Sequence, residues 1–227
     1  MRLITVAGPP SSGKTSVILK TVEALKSEDL KIGIVKFDCL STFDAQLYEK
    51  AGLPVRVGYS GNLCPDHFFV SNIDDCVGWG KSQKLDLLIS ESAGLCNRCS
   101  PHIKGVLAVC VIDNLSGIQT PKKIGPMLKL ADVVVITKGD IVSQAEREVF
   151  SFKVKQASPK SSMLFVNGIT GQGAFDLGLR LKEAPETGSL EGNRIRFSMP
   201  SAICPYCVGE TRIGKDHQHG NVKKMTF

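Results

Sequence analysis

One short segment near the N-terminus restricts what this chain can fold into more than any other feature. Residues 8–15 read Gly-Pro-Pro-Ser-Ser-Gly-Lys-Thr and match the pattern G-x-x-x-x-G-K-[ST]. The segment follows the apolar run at residues 3–6 and opens an amphipathic stretch, so it stands between a predicted strand and a predicted helix. In that context the pattern indicates a loop that wraps around phosphates within an alternating α/β fold.

The residue types in this loop suit the phosphates of a nucleotide. The two glycines let the backbone curve so that successive N–H groups and the start of the helix can donate to phosphate oxygens. Lys14 would reach the β- and γ-phosphates as a point charge, and the Thr15 hydroxyl would bind Mg²⁺. We therefore predict nucleotide contacts from Gly8, Ser11, Ser12, Gly13, Lys14, Thr15 and Ser16.

The rest of the chain alternates between apolar, β-branched runs and amphipathic stretches, a pattern typical of a parallel sheet with helices on both faces. The predicted strands are residues 3–6, 32–37, 85–90, 107–112, 133–137 and 163–166. The predicted helices are residues 14–26, 43–51, 122–130, 143–154 and 174–182. The expected fold is a doubly wound, mostly parallel α/β domain of the P-loop NTPase type.

The periodic pattern ends near residue 185, which predicts a nucleotide-binding domain at 1–185 and a Cys/His-containing tail at 186–227. An apolar content of 42% and a charged content of 22% exclude a disordered chain. The net charge of +6 is spread out, so we expect no nucleic-acid partner. No apolar run reaches the ~18–20 residues of a membrane span, and no cleavage site follows the first strand, so we expect a cytoplasmic protein without a membrane partner.

The base of the nucleotide is predicted from residues 133–140, which read Val-Val-Val-Ile-Thr-Lys-Gly-Asp. A carboxylate at Asp140 can accept both the N1–H and the exocyclic amine of guanine, and the Lys138 stem can pack on the purine. The usual form of this pattern is Asn-Lys-x-Asp, and Thr137 stands here in place of the asparagine. The pattern favours GTP over ATP.

Four further segments occur in one order along the chain: Glu91-Ser-Ala-Gly after a strand, Val111-Ile-Asp, 132–140, and 166–173. Their order and wording resemble the nickel-insertion accessory GTPases of urease and hydrogenase maturation. These are the UreG/HypB type, in the SIMIBI class of P-loop proteins. The resemblance covers roughly residues 1–183.

This resemblance implies roles for particular residues. Asp38 would be the switch carboxylate near Mg²⁺ and the attacking water, and Glu91 would couple the γ-phosphate to the neighbouring loop. Lys14 joins these two as a catalytic candidate, Thr15 and Asp38 are the Mg²⁺ ligands, and Asn167 adds a nucleotide contact. Hydrolysis is expected to be slow, because no water-positioning glutamine or cis arginine finger is evident.

Eight cysteines and four histidines are unusual for a cytoplasmic chain, where thiols stay reduced and Cys-x-x-Cys pairs suggest metal or redox chemistry. Cys64-Pro-Asp-His67 lies where the urease-type relatives carry Cys-Pro-His and the hydrogenase type carries Cys-His. In those relatives the residues hold a metal at a homodimer interface. The resemblance therefore implies Cys64 and His67 as metal ligands, although Asp66 is an additional residue between them.

Two more cysteine pairs follow. Cys96-Asn-Arg-Cys99 has the spacing at which two thiolates reach one tetrahedral centre, and two chains together could hold an iron–sulfur cluster. His102, three residues later, is left open as a further ligand. In the tail, four possible ligands fall within sixteen residues and suggest either a structural zinc or a metal-delivery site: Cys204, Cys207, His217 and His219.

The remaining cysteines are assigned by their surroundings. Cys76 and Cys110 lie in apolar stretches and are expected in the core, whereas Cys39 is left open. Trp79 lies between glycines and is expected at the edge of a loop.

The sequence thus predicts a homodimeric, GTP-binding and slowly GTP-hydrolysing metallochaperone or metalloenzyme-maturation factor. GTP/GDP and Mg²⁺ would be its cofactors, and its nucleotide state would control binding of nickel, zinc or an iron–sulfur cluster for a client metalloenzyme or other maturation proteins. Two other classes stay open. One is an ATP-dependent electron-transfer activator with an iron–sulfur cluster, and the other is a small-molecule P-loop kinase with a zinc-bound tail.

Overall fold

A computed structural model describes residues 1–95, 99–197 and 208–227, and its centre is a parallel β-sheet. The seven strands are β1 Arg2–Ala7, β2 Ile32–Asp38, β3 Val55–Tyr59, β4 Leu87–Glu91, β5 Leu107–Asp113, β6 Val133–Thr137 and β7 Ser162–Phe165. Their order in the sheet is β3-β2-β4-β1-β5-β6-β7, and every neighbouring pair is parallel. The expected doubly wound parallel fold is confirmed.

Seven α-helices cover this sheet within the described ranges: α1 Lys14–Ala24, α2 Asp44–Lys50, α3 Pro65–Ser82, α4 Thr120–Lys123, α5 Pro126–Lys129, α6 Gln144–Ala157 and α7 Ala174–Lys182. The single helix predicted at 122–130 is wrong, because Gly125 at φ 51° and the proline after it divide the segment into α4 and α5. Among the helices of the described residues, none combines the length and apolarity that a membrane span requires.

The sequence pattern did not predict β3 or α3. β3 is a short edge strand that carries an arginine, so its alternation is weak. α3 contains two glycines, which usually interrupt helices. Trp79 lies inside α3 and is 9% exposed, so the expectation of a loop edge is wrong.

The core lies on both faces of the sheet, which explains why the strands read as continuous apolar runs. On one face α1 and α7 pack on the central strands, and a buried cluster includes Val17, Ile18, Leu177 and Leu181. On the other face α3 contributes Phe68, Phe69 and Ile73 to a second cluster. A third cluster lies under α6.

The described residues beyond 185 pack against this sheet and its helices. Ile195 and Ile213 belong to the same buried cluster as the phenylalanines of α3. The Arg196 guanidinium binds both carboxylate oxygens of Asp132, at 2.8 and 2.7 Å, and also donates to three backbone carbonyls. The division of the chain at residue 185 stays a prediction.

Candidate nucleotide site and cysteine–histidine cavity

The predicted phosphate loop connects β1 to α1 and depends on glycine at both ends. A Cβ at Gly8 would lie 2.1 Å from the carbonyl oxygen of Val111, which no other residue type could tolerate. Gly13 precedes α1 with φ 91°, in the left-handed region that favours glycine. The loop therefore curls tightly, and the first turn of α1 faces the inside of the loop. This arrangement suits an anion.

Lys14 is held inside this loop. Its ammonium donates to the carbonyl oxygens of Gly8 and Pro9 at 3.0 and 2.9 Å, and the residue is 6% exposed. Burial lowers the pKa of Lys14 below its ordinary value, although the nearby charge of Glu91 acts in the opposite direction. The side chain is a desolvated cation surrounded by the loop that the sequence pattern predicted.

Glu91 is the centre of a buried hydrogen-bond network beside the loop. Its Oε1 accepts the Thr15 hydroxyl at 2.9 Å and the Lys36 ammonium at 2.7 Å. Its Oε2 accepts the Tyr48 hydroxyl at 2.6 Å. Burial and the neighbouring Glu91 charge raise the pKa of Tyr48 well above its ordinary value, so this phenol remains a donor.

Lys36 joins a second carboxylate to this network, since its ammonium also lies 2.7 Å from Asp44 Oδ2. Burial alone would lower the pKa of Lys36, but attraction to Glu91 and Asp44 and the hydrogen bonds to both outweigh it, so the pKa is raised. Burial likewise raises the pKa of Asp44, but hydrogen bonds from Lys36, Thr42 and Thr15 outweigh it and leave the pKa lowered. The network therefore joins an ammonium to two carboxylates.

Sequence reasoning missed Lys36, Asp44 and Tyr48. The one signal available was a lysine within the apolar run of β2, because a lysine is rarely buried unless it is paired. The predicted carboxylate Asp38 ends the same strand, is half-buried, and accepts the backbone N–H of Cys39 at 2.8 Å. Its role at Mg²⁺ stays a prediction.

The segment after Glu91 lies directly on the phosphate loop. A Cβ at Gly94, which has φ 73°, would be 1.8 Å from the Gly8 carbonyl oxygen and 3.3 Å from the Lys14 ammonium nitrogen. Only glycine permits this approach. The backbone leads within five residues from this contact to Cys99.

The end of β6 is tied to the other side of the loop. The Thr137 hydroxyl donates to the carbonyl oxygen of Ser12 at 2.7 Å. The Lys138 ammonium donates to the carbonyl oxygen of Ser11 at 2.8 Å and lies 3.6 Å from Asp113. Thr137 and Lys138, from the segment predicted to recognise the base, therefore contact the predicted phosphate loop directly.

A cleft of about 420 Å³ opens beside this junction and has a volume within the range of small-ligand sites. The Arg147 guanidinium lies 5.1 Å above the Phe165 ring at one wall. The Asn167 side chain accepts the backbone N–H groups of Ile169 and Thr170 at 2.8 and 3.0 Å, which shapes the loop at another wall. Polar residues that line the cleft include Asp140, Arg147, Asn167 and Gln172.

The Cys64–His67 segment begins α3. Cys64 is the residue before the helix, with proline at the first helical position, and His67 lies in the first turn at 6% exposure. Burial raises the pKa of Asp66 to about 6, against a hydrogen bond with Cys99 that lowers it. Asp66 therefore connects the first turn of α3 to Cys99, in the segment after β4.

A cavity of about 30 Å³ brings together ligand types from three distant parts of the chain. It is lined by Asp66 and His67 of α3, by Cys99, and by His217 and His219 of the C-terminal segment. Burial lowers the pKa of His67, and the charge of His219 acts in the same direction.

The wall of this cavity also contains an ion pair between Glu210 and Arg212. Glu210 lies 2.6 Å from the Arg212 guanidinium, which holds the pKa of that carboxyl well below its usual range. Within the described residues, no three His, Cys, Asp or Glu side chains already form a set that could hold a metal ion. The predicted ligands Cys96, Cys204 and Cys207 lie outside the described residues.

Two further cysteines and His102 lie in the interior, whereas Cys39 is half-buried. Cys76 and Cys110 are fully buried, as expected, and burial raises the pKa of Cys110 to about 12. His102 is fully buried, and its two ring nitrogens lie 3.0 Å from the Thr5 hydroxyl and from the Met127 carbonyl oxygen. His102 does not line the cysteine–histidine cavity.

Comparison with known proteins finds similarity to one nucleotide-binding family. The family model described as CobW/HypB/UreG, nucleotide-binding domain, matches residues 2–165. The chain is 47% identical over 225 residues to the "Uncharacterized protein MJ0120" of Methanocaldococcus jannaschii, covering 99% of this chain and 96% of that protein. It is 31% identical over 194 residues to the urease accessory protein UreG 2 of Methylorubrum populi, covering 78% and 88%.

Among solved structures, HypB from Helicobacter pylori in complex with nickel is similar to this chain with a TM-score of 0.65 at 20% identity. The match covers 83% of this chain and 91% of that chain. At this identity the likeness shows a shared fold. The similarity to the Methanocaldococcus protein extends past residue 165, where the family model ends, into the C-terminal segment.

Proposed function

This chain belongs to the CobW/HypB/UreG family, and on that premise we propose that it is a GTP-binding metallochaperone or metalloenzyme-maturation factor whose nucleotide state controls metal binding. The main support for this proposal comes from the segment that follows β4, which contains Gly94 and Cys99. Gly94 lies on the phosphate loop, and Cys99, five residues later, lines the cysteine–histidine cavity. A phosphate that displaced Gly94 would therefore act five residues along the chain from a residue of the cavity lining.

The nucleotide would bind across the loop and the cleft at the end of β6. The Lys14 ammonium would exchange its hydrogen bonds to the loop carbonyls for hydrogen bonds to the phosphates, because charged oxygens are stronger acceptors. Asp140 would accept from guanine, and the Lys138 stem would pack on the ring. Thr137 supports this assignment, because its bond to Ser12 fastens the base loop to the phosphate loop.

Mg²⁺ fits the donors that lie beside the loop. The Thr15 hydroxyl and the carboxylates near it are hard oxygen ligands, which Mg²⁺ prefers. We propose Thr15 with Asp38 as ligands, as the resemblance implies, and Glu91 as the residue that relates them to the γ-phosphate. When bound, the ion would neutralise charge on the phosphates.

Hydrolysis is proposed to be slow, so that the protein acts as a switch. Lys14, Asp38 and Glu91 are the catalytic residues of this proposal. Glu91 accepts three hydrogen bonds in the structure. These bonds fix the position of its carboxylate but leave it unsuited to act as the base that activates water. A partner or a second copy of the chain would complete the site.

For metal binding we propose the donors that line the cavity, Cys64 at the start of α3, and the cysteines outside the described residues. The candidate ligands are Cys64, His67, Cys96, Cys99, Cys204, Cys207, His217 and His219. Thiolate and imidazole suit nickel, zinc or an iron–sulfur cluster. The donors among the described residues do not by themselves form a metal set, and we propose that nucleotide binding changes how the donors are arranged.

A homodimer and a client metalloenzyme complete the proposal. In a dimer that faces its partner across the nucleotide, ligands from two chains would meet. Size-exclusion chromatography with light scattering is expected to show a dimer with a GTP analogue and Mg²⁺. A monomer under all nucleotide conditions would contradict this part.

The coupling is tested by titrating Zn²⁺ and Ni²⁺, under anaerobic conditions, into protein loaded with GDP or with a non-hydrolysable GTP analogue. Metal affinity is expected to differ by about tenfold between the two states, a usual size for coupled sites. Cys99→Ser should reduce the difference, whereas Cys39→Ser, a half-buried cysteine away from the cavity lining, should not. Equal affinities in both states would remove the coupling. Parallel titration with GDP and ADP tests the base preference.

A further inference from the structure

Lys36 occupies an unusual position in the sheet. β2 and β4 are parallel neighbours, and Lys36 is paired in register with Glu91. Ile34 and Ile89, two residues earlier on the two strands, belong to one buried apolar cluster. Because side chains alternate along a strand, this apolar face ends in an ammonium and a carboxylate next to the phosphate loop.

The ammonium of Lys36 bridges two carboxylates from different elements. It lies 2.7 Å from Glu91 Oε1 at the end of β4 and 2.7 Å from Asp44 Oδ2 in the first turn of α2. Its side chain is only 4% exposed. The Thr15 hydroxyl donates to the same Oε1 atom, so ammonium and hydroxyl converge on one oxygen.

These neighbours lie beside the proposed Mg²⁺ ligand Thr15 and carry oxygen atoms of the kind that attracts a divalent cation. A threonine hydroxyl and two carboxylates form a hard donor set beside the phosphate loop. The two carboxylates carry two negative charges, and Lys36 cancels one of them. An ammonium thus stands among the groups that would attract Mg²⁺.

We propose that Lys36 is a positioning residue that holds Glu91 and Asp44 together in the nucleotide-free protein and makes divalent-cation binding conditional on the nucleotide. This inference rests on the proposed nucleotide function and adds a regulatory element to the same site. Without phosphates, an entering cation meets the Lys36 ammonium between the two carboxylates, and the Lys14 ammonium is also near both carboxylates. The phosphates add the negative charge that lets ammonium and cation share the site.

The arrangement also relates two elements to the nucleotide. Glu91 begins the segment that leads to Gly94, and Asp44 belongs to α2. A cation that displaced Lys36 from Glu91 would therefore loosen that segment, and one that displaced Lys36 from Asp44 would loosen α2. Binding of the cation and of the nucleotide would then favour each other by the same factor. The Tyr48 hydroxyl on Glu91 Oε2 keeps that carboxylate in place during the exchange.

The test measures Mn²⁺ binding to nucleotide-free protein from the electron paramagnetic resonance signal of free Mn²⁺. Lys36→Met removes the ammonium, and Lys20→Met removes an ammonium from an exposed ion pair on α1 as the matched control. Lys36→Met is expected to bind Mn²⁺ about tenfold or more tightly than the natural protein, whereas Lys20→Met should match it. Equal Mn²⁺ affinity in Lys36→Met and the natural protein would overturn the proposal.

A double variant covers the case in which Lys36→Met does not fold because two carboxylates are left unpaired. Lys36→Met with Asp44→Asn keeps the net charge of the natural site but contains no ammonium. It too is expected to bind Mn²⁺ more tightly than the natural protein, and equality would again contradict the inference. Lys36→Arg, which keeps the charge, should retain weak Mn²⁺ binding without nucleotide.

Addition of GDP separates this inference from the proposed function. With GDP present, the natural protein is expected to bind Mn²⁺ tightly, so that its difference from Lys36→Met narrows. If the natural protein fails to bind GDP at all, the nucleotide function is wrong. If GDP binds but the nucleotide-free variants match the natural protein, only the role of Lys36 is wrong.

Discussion

At the scale of single residues, Thr137 makes a hydrogen bond that its position in the sequence does not predict. It stands where the usual base-recognition pattern has asparagine, and it is 2% exposed. Its hydroxyl donates to the carbonyl oxygen of Ser12 in the phosphate loop. Thr137 therefore joins two loops that are 125 residues apart in the chain.

Thr137→Val should lower the free energy of unfolding by about 1–2 kcal/mol, because it keeps the shape of the side chain and leaves a buried carbonyl without its donor. Nucleotide affinity should fall as well, since the phosphate loop loses one anchor. Urea denaturation and calorimetric titration with GDP measure the two effects. Thr226→Val, the same exchange at an exposed position, should change stability by less than about 0.5 kcal/mol. Equal effects of the two variants would contradict the role of the Thr137 bond.

Gly94→Ala is expected to lower the free energy of unfolding by about 1–3 kcal/mol, because its Cβ would overlap the Gly8 carbonyl and φ is positive. Gly78→Ala is the matched control, since that glycine lies in α3 with open space around its Cβ. The control should raise stability by about 0.5–1 kcal/mol through better helix propensity. Thermal and urea unfolding of both variants test the opposite signs, and a stable Gly94→Ala protein would show that the close approach is dispensable.

At the scale of elements, α3 is held from outside by the C-terminal segment. Asn72 is fully buried, and its amide nitrogen donates to the carbonyl oxygen of Lys223 at 2.9 Å. Its amide oxygen accepts the Met225 N–H at 2.8 Å. Gln218 also donates to the Ser71 carbonyl oxygen at 3.1 Å. The helix that begins with Cys64 and His67 is therefore supported along its length by residues more than 140 positions away.

Asn72→Ala should lower the free energy of unfolding by about 1–3 kcal/mol, since it removes a fully buried amide and leaves the part-buried Lys223 carbonyl and Met225 N–H without their partner. Hydrogen exchange should accelerate at the Met225 amide. Gln83→Ala, at an exposed position just after α3, serves as the control and should change stability by less than about 0.5 kcal/mol. Unchanged exchange at Met225 in Asn72→Ala would contradict this account.

At the scale of the whole molecule, His102 links stability to pH. It joins β1 to α5 through the Thr5 hydroxyl and the Met127 carbonyl, in a fully buried position. Burial lowers the pKa of His102 to about 4; the Met127 carbonyl and Asp132 oppose this, whereas Arg196 acts in the same direction. The folded protein therefore holds this imidazole neutral where the unfolded chain, with an ordinary pKa near 6.5, binds a proton.

Between about pH 6.5 and pH 4 the unfolded chain binds more protons at this residue than the folded protein, so acidification lowers its contribution to stability. The stability difference between the natural protein and His102→Gln should shrink by about 3 kcal/mol from pH 7 to pH 4. Urea denaturation of both proteins at several pH values measures this difference, in which the effects of the other titrating groups cancel. A constant difference across the range would contradict the neutral buried histidine.

The sequence by itself determined the features that depend on neighbours in the chain. The phosphate loop is recognised because its glycines and Lys14 fall within eight consecutive residues between a strand and a helix. All six predicted strands and four of the five predicted helices lie where the patterns place them, to within three residues at each end. β3 and α3 were missed because an edge strand and a glycine-containing helix take their stability from packing and not from local pattern.

Only the tertiary structure decided which residues meet. The order of strands in the sheet places Lys36 beside Glu91, and the packing of α2 brings Asp44 to the same ammonium. The three cysteine–histidine groups, separate in the sequence, have described members that line one cavity, because the C-terminal segment returns to the start of α3. Local patterns specify elements through backbone geometry. Contacts between distant residues depend on how the buried faces of those elements pack, which no short stretch of sequence contains.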